Sequence, residues 1–155
     1  MMEIGQQAPD FSLADSDMTK VSLSDYRGNK NVVLFFYPKD DTTGCTIEAL
    51  EFTDLQDEFD SLDTVVLGVS KDNCMSHATF RDKHGLSVRL LADVEGEVCE
   101  AYEVWKEIKR GEKSAMGIVR STFIVDKDGK LRDSMIEVSH KGHARNVLKR
   151  VQGLG

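Results

Sequence analysis

The chain has 155 residues, 40% of them apolar and 30% charged, with three cysteines and a formal charge of −7. That length suits a single domain over residues 1–155 with a substantial core. The acidic balance argues against a nucleic-acid partner, no apolar run is long enough to span a bilayer, and three unpatterned cysteines are not a secreted disulfide scaffold.

Residues 1–7 show neither a basic start nor an apolar core, so no leader is expected and a reducing cytoplasm is the expected setting. Residues 8–23 alternate loosely around the turn residues Asp15, Ser16 and Asp17, which predicts a pair of short strands or a hairpin. Residues 25–30 form a polar linker. Residues 32–37 are a continuous Val, Leu, Phe and Tyr run, suited to a strand buried on both faces. Pro38 ends it. Asp41, Thr42, Thr43 and Gly44 then supply turn residues. From Cys45 onward the apolar period changes. Ile47, Leu50, Leu55 and Phe59, with Ala49 and Phe52 beside them, predict a helix.

Residues 64–70 read as a second buried strand. Two such strands joined through a helix should be parallel and right-handed. Residues 73–84 predict a short helix closed by Gly85, and residues 88–91 a short strand. A further helical piece follows, with Val94, Val98, Ala101, Tyr102 and Trp105 on one side. Residues 106–113 are polar and read as a loop. Residues 121–125 and 130–138 flank a hairpin turn ending at Gly129. Residues 142–152 form a last helix with Ala144, Val147, Leu148 and Val151 on one face. A βαβ half followed by a hairpin and a helix is the thioredoxin-like order: an α/β fold with a central mixed β-sheet flanked by helices and an N-terminal hairpin extension.

Cys45 stands where a buried strand hands over to a helix. Free N–H groups and the positive end of the helix dipole favour an anion there and pull a thiol below its free pKa. The Thr42 hydroxyl is placed to reach over the turn to the sulfur or to a ligand beside it. If residues 121–125 lie antiparallel beside residues 32–37, Arg120 falls on the same rim, where a guanidinium would hold a thiolate.

The segments Tyr37-Pro38-Lys39-Asp40, Thr42, Gly44-Cys45-Thr46 and Glu48-Ala49 resemble the active-site signature of the peroxiredoxins, in the bacterioferritin comigratory protein (peroxiredoxin Q) branch. The likeness runs on through residues 5–13, 21–28, 67–70 and 120–126. It implies a thioredoxin-like fold and reduction of hydrogen peroxide or organic hydroperoxides through a sulfenic acid at Cys45. It implies that Thr42 helps to hold the peroxide, that Arg120 stabilises the thiolate and the leaving oxygen, and that Pro38 shields the sulfenic acid. Glu48 would orient Arg120 or serve as a helix N-terminal acid. The implied partner is a thioredoxin or glutaredoxin-type thiol reductant, and a monomer is expected rather than a dimer.

Two departures stand out. Asp17-Met18-Thr19 replaces a turn that has a glycine in the family. Leu50 and Arg81 stand where resolving cysteines are common. Resolution is thus left to an external thiol, to Cys74, or to Cys99, which also reads as a core filler. The histidines, including His140 and His143, lack metal-site spacing, and no flavin, haem or other cofactor is indicated. Two rival readings are a dithiol–disulfide oxidoreductase and a binding or holdase module. The first wants Cys-x-x-Cys, but Thr42 holds the first position. The second has no need for Thr42, Cys45 and Arg120 together.

Overall fold

The computed structural model describes residues 2–154. Strands β1 (Ser12–Asp15) and β2 (Lys20–Ser22) pair antiparallel and lead into a 3-10 turn, Leu23–Tyr26. Next come β3 (Asn31–Phe36), α1 (Thr43–Asp54), α2 (Gln56–Ser61) and β4 (Thr64–Ser70). They are followed by α3 (Cys74–His84), β5 (Arg89–Ala92) and α4 (Glu97–Ala101). Strands β6 (Trp105–Arg110), β7 (Lys113–Ile118), β8 (Ser121–Val125) and β9 (Leu131–Met135) precede the last helix, α5 (His143–Gln152).

One seven-stranded sheet runs in the order β2-β1-β5-β4-β3-β8-β9. Strand β3 is parallel to β4 and antiparallel to β8, and β4 is parallel to β5, so the sheet is mixed. Among the described residues, no helix is long and apolar enough to cross a membrane.

Strand β3 divides the core. Val33 and Phe35 pack with α1, α2, α3 and α5, while Val32, Leu34 and Phe36 pack with α4 and the N-terminal segment. Both sets are buried, which explains a continuous rather than alternating apolar run. Each such side chain contributes about 1.5–3 kcal/mol on burial. Gly68 on β4 lies opposite Phe35, and a Cβ there would sit 2.6 Å from the Phe35 ring. Only a glycine lets that ring lie flat against the strand.

Three local expectations need correction. Residues 106–113 lie in the β6–β7 hairpin, a separate two-stranded sheet. Its residues are mostly exposed on both sides, so no half-buried alternation marks it. Ile47 is exposed; the buried face of α1 is Cys45, Glu48, Ala49 and Phe52, and a carboxylate in a core position blurs the stripe. Past β5, Val94 is exposed and Trp105 begins β6, leaving α4 only five residues.

The β1–β2 turn is closed by Asp15, whose Oδ1 accepts from the backbone N–H groups of Asp17 and Thr19. Met18, at the tip, adopts φ +63°, the left-handed region that costs a residue with a Cβ. Met18→Gly is therefore expected to stabilise the protein by about 1 kcal/mol, raising the thermal midpoint by about 2–4 °C. An unchanged or lower midpoint would contradict that strain.

Candidate active site

Strand β3 delivers the chain to its carboxyl end, residues 37–42 turn over the rim, and α1 starts at Thr43. Cys45 is in the first turn of α1 and only 1% exposed. The N–H groups of that turn have no intrahelical acceptors and carry partial positive charge.

Arg120 comes from the other side. The register pairs Phe36 with Ser121, so the start of β8 meets the end of β3 and Arg120 lands on the rim. Its guanidinium forks between two partners. Nη2 donates to Cys45 Sγ at 3.3 Å, and Nη1 donates to Glu48 Oε1 at 2.6 Å. Glu48 is one turn beyond Cys45 on the same buried face, which is how one planar group reaches both. A Cβ on Gly44 would lie 2.9 Å from His140 Nδ1 and 3.2 Å from Arg120 Nη2. The residue before the cysteine must therefore be small for the guanidinium to approach.

Glu48 is fully buried, and its Oε2 has no hydrogen-bond partner among the described residues. Burial pushes its carboxyl up to about 7, against the pull of Arg120. Burial works against the Arg120 charge too, but Glu48 and Cys45 outweigh it and raise that pKa. Behind the site, His143 packs edge-on to Phe52, and its Nε2 lies 2.7 Å from Thr122 Oγ1. Burial, then Arg120 and Arg150, lowers its pKa to about 4.

These two groups give opposite pH slopes. Glu48 binds its proton more tightly folded than unfolded, so its contribution to stability is present below 4.5 and lost as pH rises towards about 7. His143 is held neutral in the fold, so its contribution is present above 6.5 and lost as pH falls towards about 4. Glu48→Gln should leave a protein that loses stability on acidification, and His143→Asn one that loses it on alkalinisation. Urea midpoints at about pH 5 and pH 7.5 read both. Equal slopes in the two variants would contradict the assignment.

The remaining predicted residues are placed as follows. The exposed Thr42 donates its hydroxyl to the Lys39 carbonyl at 2.9 Å rather than to the sulfur. Pro38 is exposed on the rim, at the edge of a groove of about 700 Å³ floored by Trp105, Ile108 and Ile118. Cys74, half-buried, opens α3 just past the end of β4, on the same rim as Cys45. Cys99 is fully buried and packs on the opposite face of the sheet from Cys45; burial, helped by Asp93, pushes its thiol pKa up. All three cysteines are free thiols. Leu50 packs against the core, and Arg81 is paired with Asp17 and Asp82. The sequence places Tyr37 and Asp40 in the family signature, but gives no sign that they form a buried group with His77.

The model of the AhpC/TSA family matches residues 4–134. Peroxiredoxin Bcp of Bacillus subtilis is 45% identical over 153 residues, covering 99% of this chain and 97% of that protein. The chain belongs to the AhpC/TSA family of peroxiredoxins, in the Bcp branch. Among solved structures, this peroxiredoxin resembles a cysteine-to-serine mutant of Xylella fastidiosa PrxQ, with TM-score 0.93 and 36% identity, covering 99% of this chain and 97% of that one. It also resembles the Xanthomonas campestris bacterioferritin comigratory protein, studied for alkyl peroxide reduction, with TM-score 0.90 and 35% identity over 99% and 97% of the two chains. The thioredoxin-like fold is thus that of known peroxiredoxins, and the chain is a thiol peroxidase that acts on peroxides.

Proposed function

We propose that Cys45 is the thiolate that attacks peroxide, in a single domain spanning residues 1–155. The observation that carries this is the Arg120 fork, which places one fixed cation against both Cys45 Sγ and Glu48. A thiolate beside a guanidinium and free helix N–H groups is stabilised in a nearly closed site. The sulfur attacks the terminal oxygen of R–O–O–H. The O–O bond breaks, the S–O bond forms, Cys45 becomes a sulfenic acid, and the RO⁻ leaving group takes up a proton to give R–OH. Arg120 lies where it can stabilise the charge moving onto the leaving oxygen. Thr42 spends its proton on Lys39, so its oxygen is free to accept a hydrogen bond from the peroxide. Glu48 holds the Arg120 fork in its plane. Pro38, at the mouth, limits water and a second oxidant.

The substrate class is hydrogen peroxide and organic hydroperoxides. The sulfenic acid is resolved by an external thiol, supplied by a thioredoxin or glutaredoxin-type reductant. Cys74 is the internal alternative, favoured by its position on the same rim; Cys99 has the sheet between it and Cys45. Turnover assays separate these possibilities. Peroxide consumption driven by thioredoxin or glutaredoxin should persist in Cys74→Ser if the thiol is external and collapse if Cys74 resolves. A sulfenic-acid trap should label wild type at Cys45. No labelling and no turnover with either reductant would overturn the reading.

A further inference from the structure

The loop that precedes Cys45 is tied to α3 by a buried polar cluster that the peroxide chemistry does not touch. Asp40 is its hub. The Tyr37 hydroxyl donates to Asp40 Oδ1 at 2.6 Å, and the Ser76 hydroxyl donates to Oδ2 at 2.7 Å. His77 Nδ1 lies 2.8 Å from the same Oδ2, and its Nε2 lies 3.0 Å from the Leu91 carbonyl on β5. The imidazole thus bridges the Asp40 carboxylate and the Leu91 carbonyl, one at each ring nitrogen. The Asp40 backbone N–H donates to Asp72, which also accepts from the Ser70 hydroxyl. His77 is fully buried and Asp40 is 8% exposed, so these bonds are shielded from water. Burial, then Asp40, holds the Tyr37 phenol well above its ordinary pKa, which keeps it a donor.

The next residue is pinned to the same helix. Asp41 has φ +59°, and its carboxylate accepts from Lys83 Nζ at 2.6 Å and pairs with His84 Nε2 at 2.8 Å. Aspartate tolerates the left-handed region better than most residues, but the conformation still has to be held by its surroundings. Two successive loop residues are therefore fastened along α3, at Ser76 and His77 near its start and at Lys83 and His84 near its end. Thr42 follows directly.

We propose that Asp40 and His77 are positioning residues for the peroxide reaction: they dock the loop onto α3 and so fix Thr42 over Cys45. The proposal rests on the peroxidase reading above. Thr42 is exposed; its carbonyl is held by Thr46 at the start of α1, but its hydroxyl is aimed by the Lys39 carbonyl, next to Asp40 in the docked loop. Cys45 and Arg120 are placed independently, by α1 and β8. Loosening the dock should therefore damage the orientation of the peroxide and leave the thiolate alone. The dock joins loop to helix without entering the reaction, and a displacement of about 1 Å in a positioning group can cost about 10²-fold in rate.

The test compares two reactions of the same sulfur in wild type, Asp40→Asn, Ser76→Ala and Ser76→Thr. One is oxidation of Cys45 by hydrogen peroxide; the other is alkylation by iodoacetamide, which needs no help from Thr42. Asp40→Asn should slow the peroxide reaction about 30–100-fold and Ser76→Ala about 3–10-fold, with alkylation within about twofold of wild type. Ser76→Thr, which keeps the hydroxyl, should restore the peroxide rate. A purely structural role would lower thermal midpoints and leave both rates of the folded protein unchanged, and that result overturns the proposal. If Asp40→Asn does not fold, the two Ser76 variants, at a half-buried position, decide alone. A wild-type Cys45 inert to peroxide would overturn the peroxidase reading instead, and is recognised before any variant is compared.

Discussion

Replacing Cys45 with serine is expected to abolish peroxide reduction, by at least about 10⁴-fold in the second-order rate, because a serine hydroxyl is a far weaker nucleophile near neutral pH. The substitution is nearly isosteric. It keeps a buried group that can accept the Arg120 Nη2 hydrogen bond and leaves the Glu48 half of the fork in place. Stability should therefore change by no more than about 1 kcal/mol. Stopped-flow competition for peroxide, with thermal melts run alongside, separates the two effects. A variant that kept a tenth of the wild-type rate would place the nucleophile elsewhere.

The second large effect is expected at Arg120. Arg120→Lys keeps a positive charge but cannot span Cys45 Sγ and Glu48 Oε1 together, since an ammonium lacks the planar fork. The peroxide rate should fall by about 10²–10³-fold, the range found when a preorganised donor to a developing anion is removed. Arg120→Met goes further, leaving the buried Glu48 without its cation. A buried group stripped of its partner costs about 3–5 kcal/mol unless it can neutralise itself, and Glu48 can do so by keeping its proton. The carboxyl pKa, already raised to about 7 by burial, should then climb further. Arg120→Met should thus resemble wild type most closely under acid conditions and lose stability as pH rises. Denaturant midpoints across pH measure this, and a destabilisation relative to wild type that is largest in acid would contradict the account.

Much of this site can be read along the chain because it is built from local rules. The apolar run of β3, the stop at Pro38 and the change of period after Cys45 place the thiol at a strand-to-helix junction. The Asp126–Gly129 turn makes β8 and β9 a hairpin, and laying β8 antiparallel to β3 brings Arg120 to the rim, as the register has it. What escapes a sequence reading is set by tertiary contacts. Glu48 occupies a core position that a hydrophobic pattern assigns to an apolar residue, so that pattern turns the inward face of α1 wrongly towards Ile47. The β6–β7 hairpin buries too little to show alternation. Asp40 and His77 meet across 37 residues of sequence, and nothing local marks either as half of a buried pair. Thr42 sits in the turn its neighbours predict, but its hydroxyl direction depends on the Lys39 carbonyl, which only the folded loop supplies.

The central claim is that Cys45 itself is oxidised by peroxide. It is tested most directly by intact mass after a single equivalent of hydrogen peroxide, on wild type and Cys45→Ser, with free thiols counted. The account predicts a gain of one oxygen and the loss of one thiol, trapped by a sulfenic-acid reagent in wild type and absent from the variant. A loss of two hydrogens with two thiols consumed would keep Cys45 as the reactive centre and assign resolution to a second cysteine. No Cys45-dependent change in mass would contradict the account.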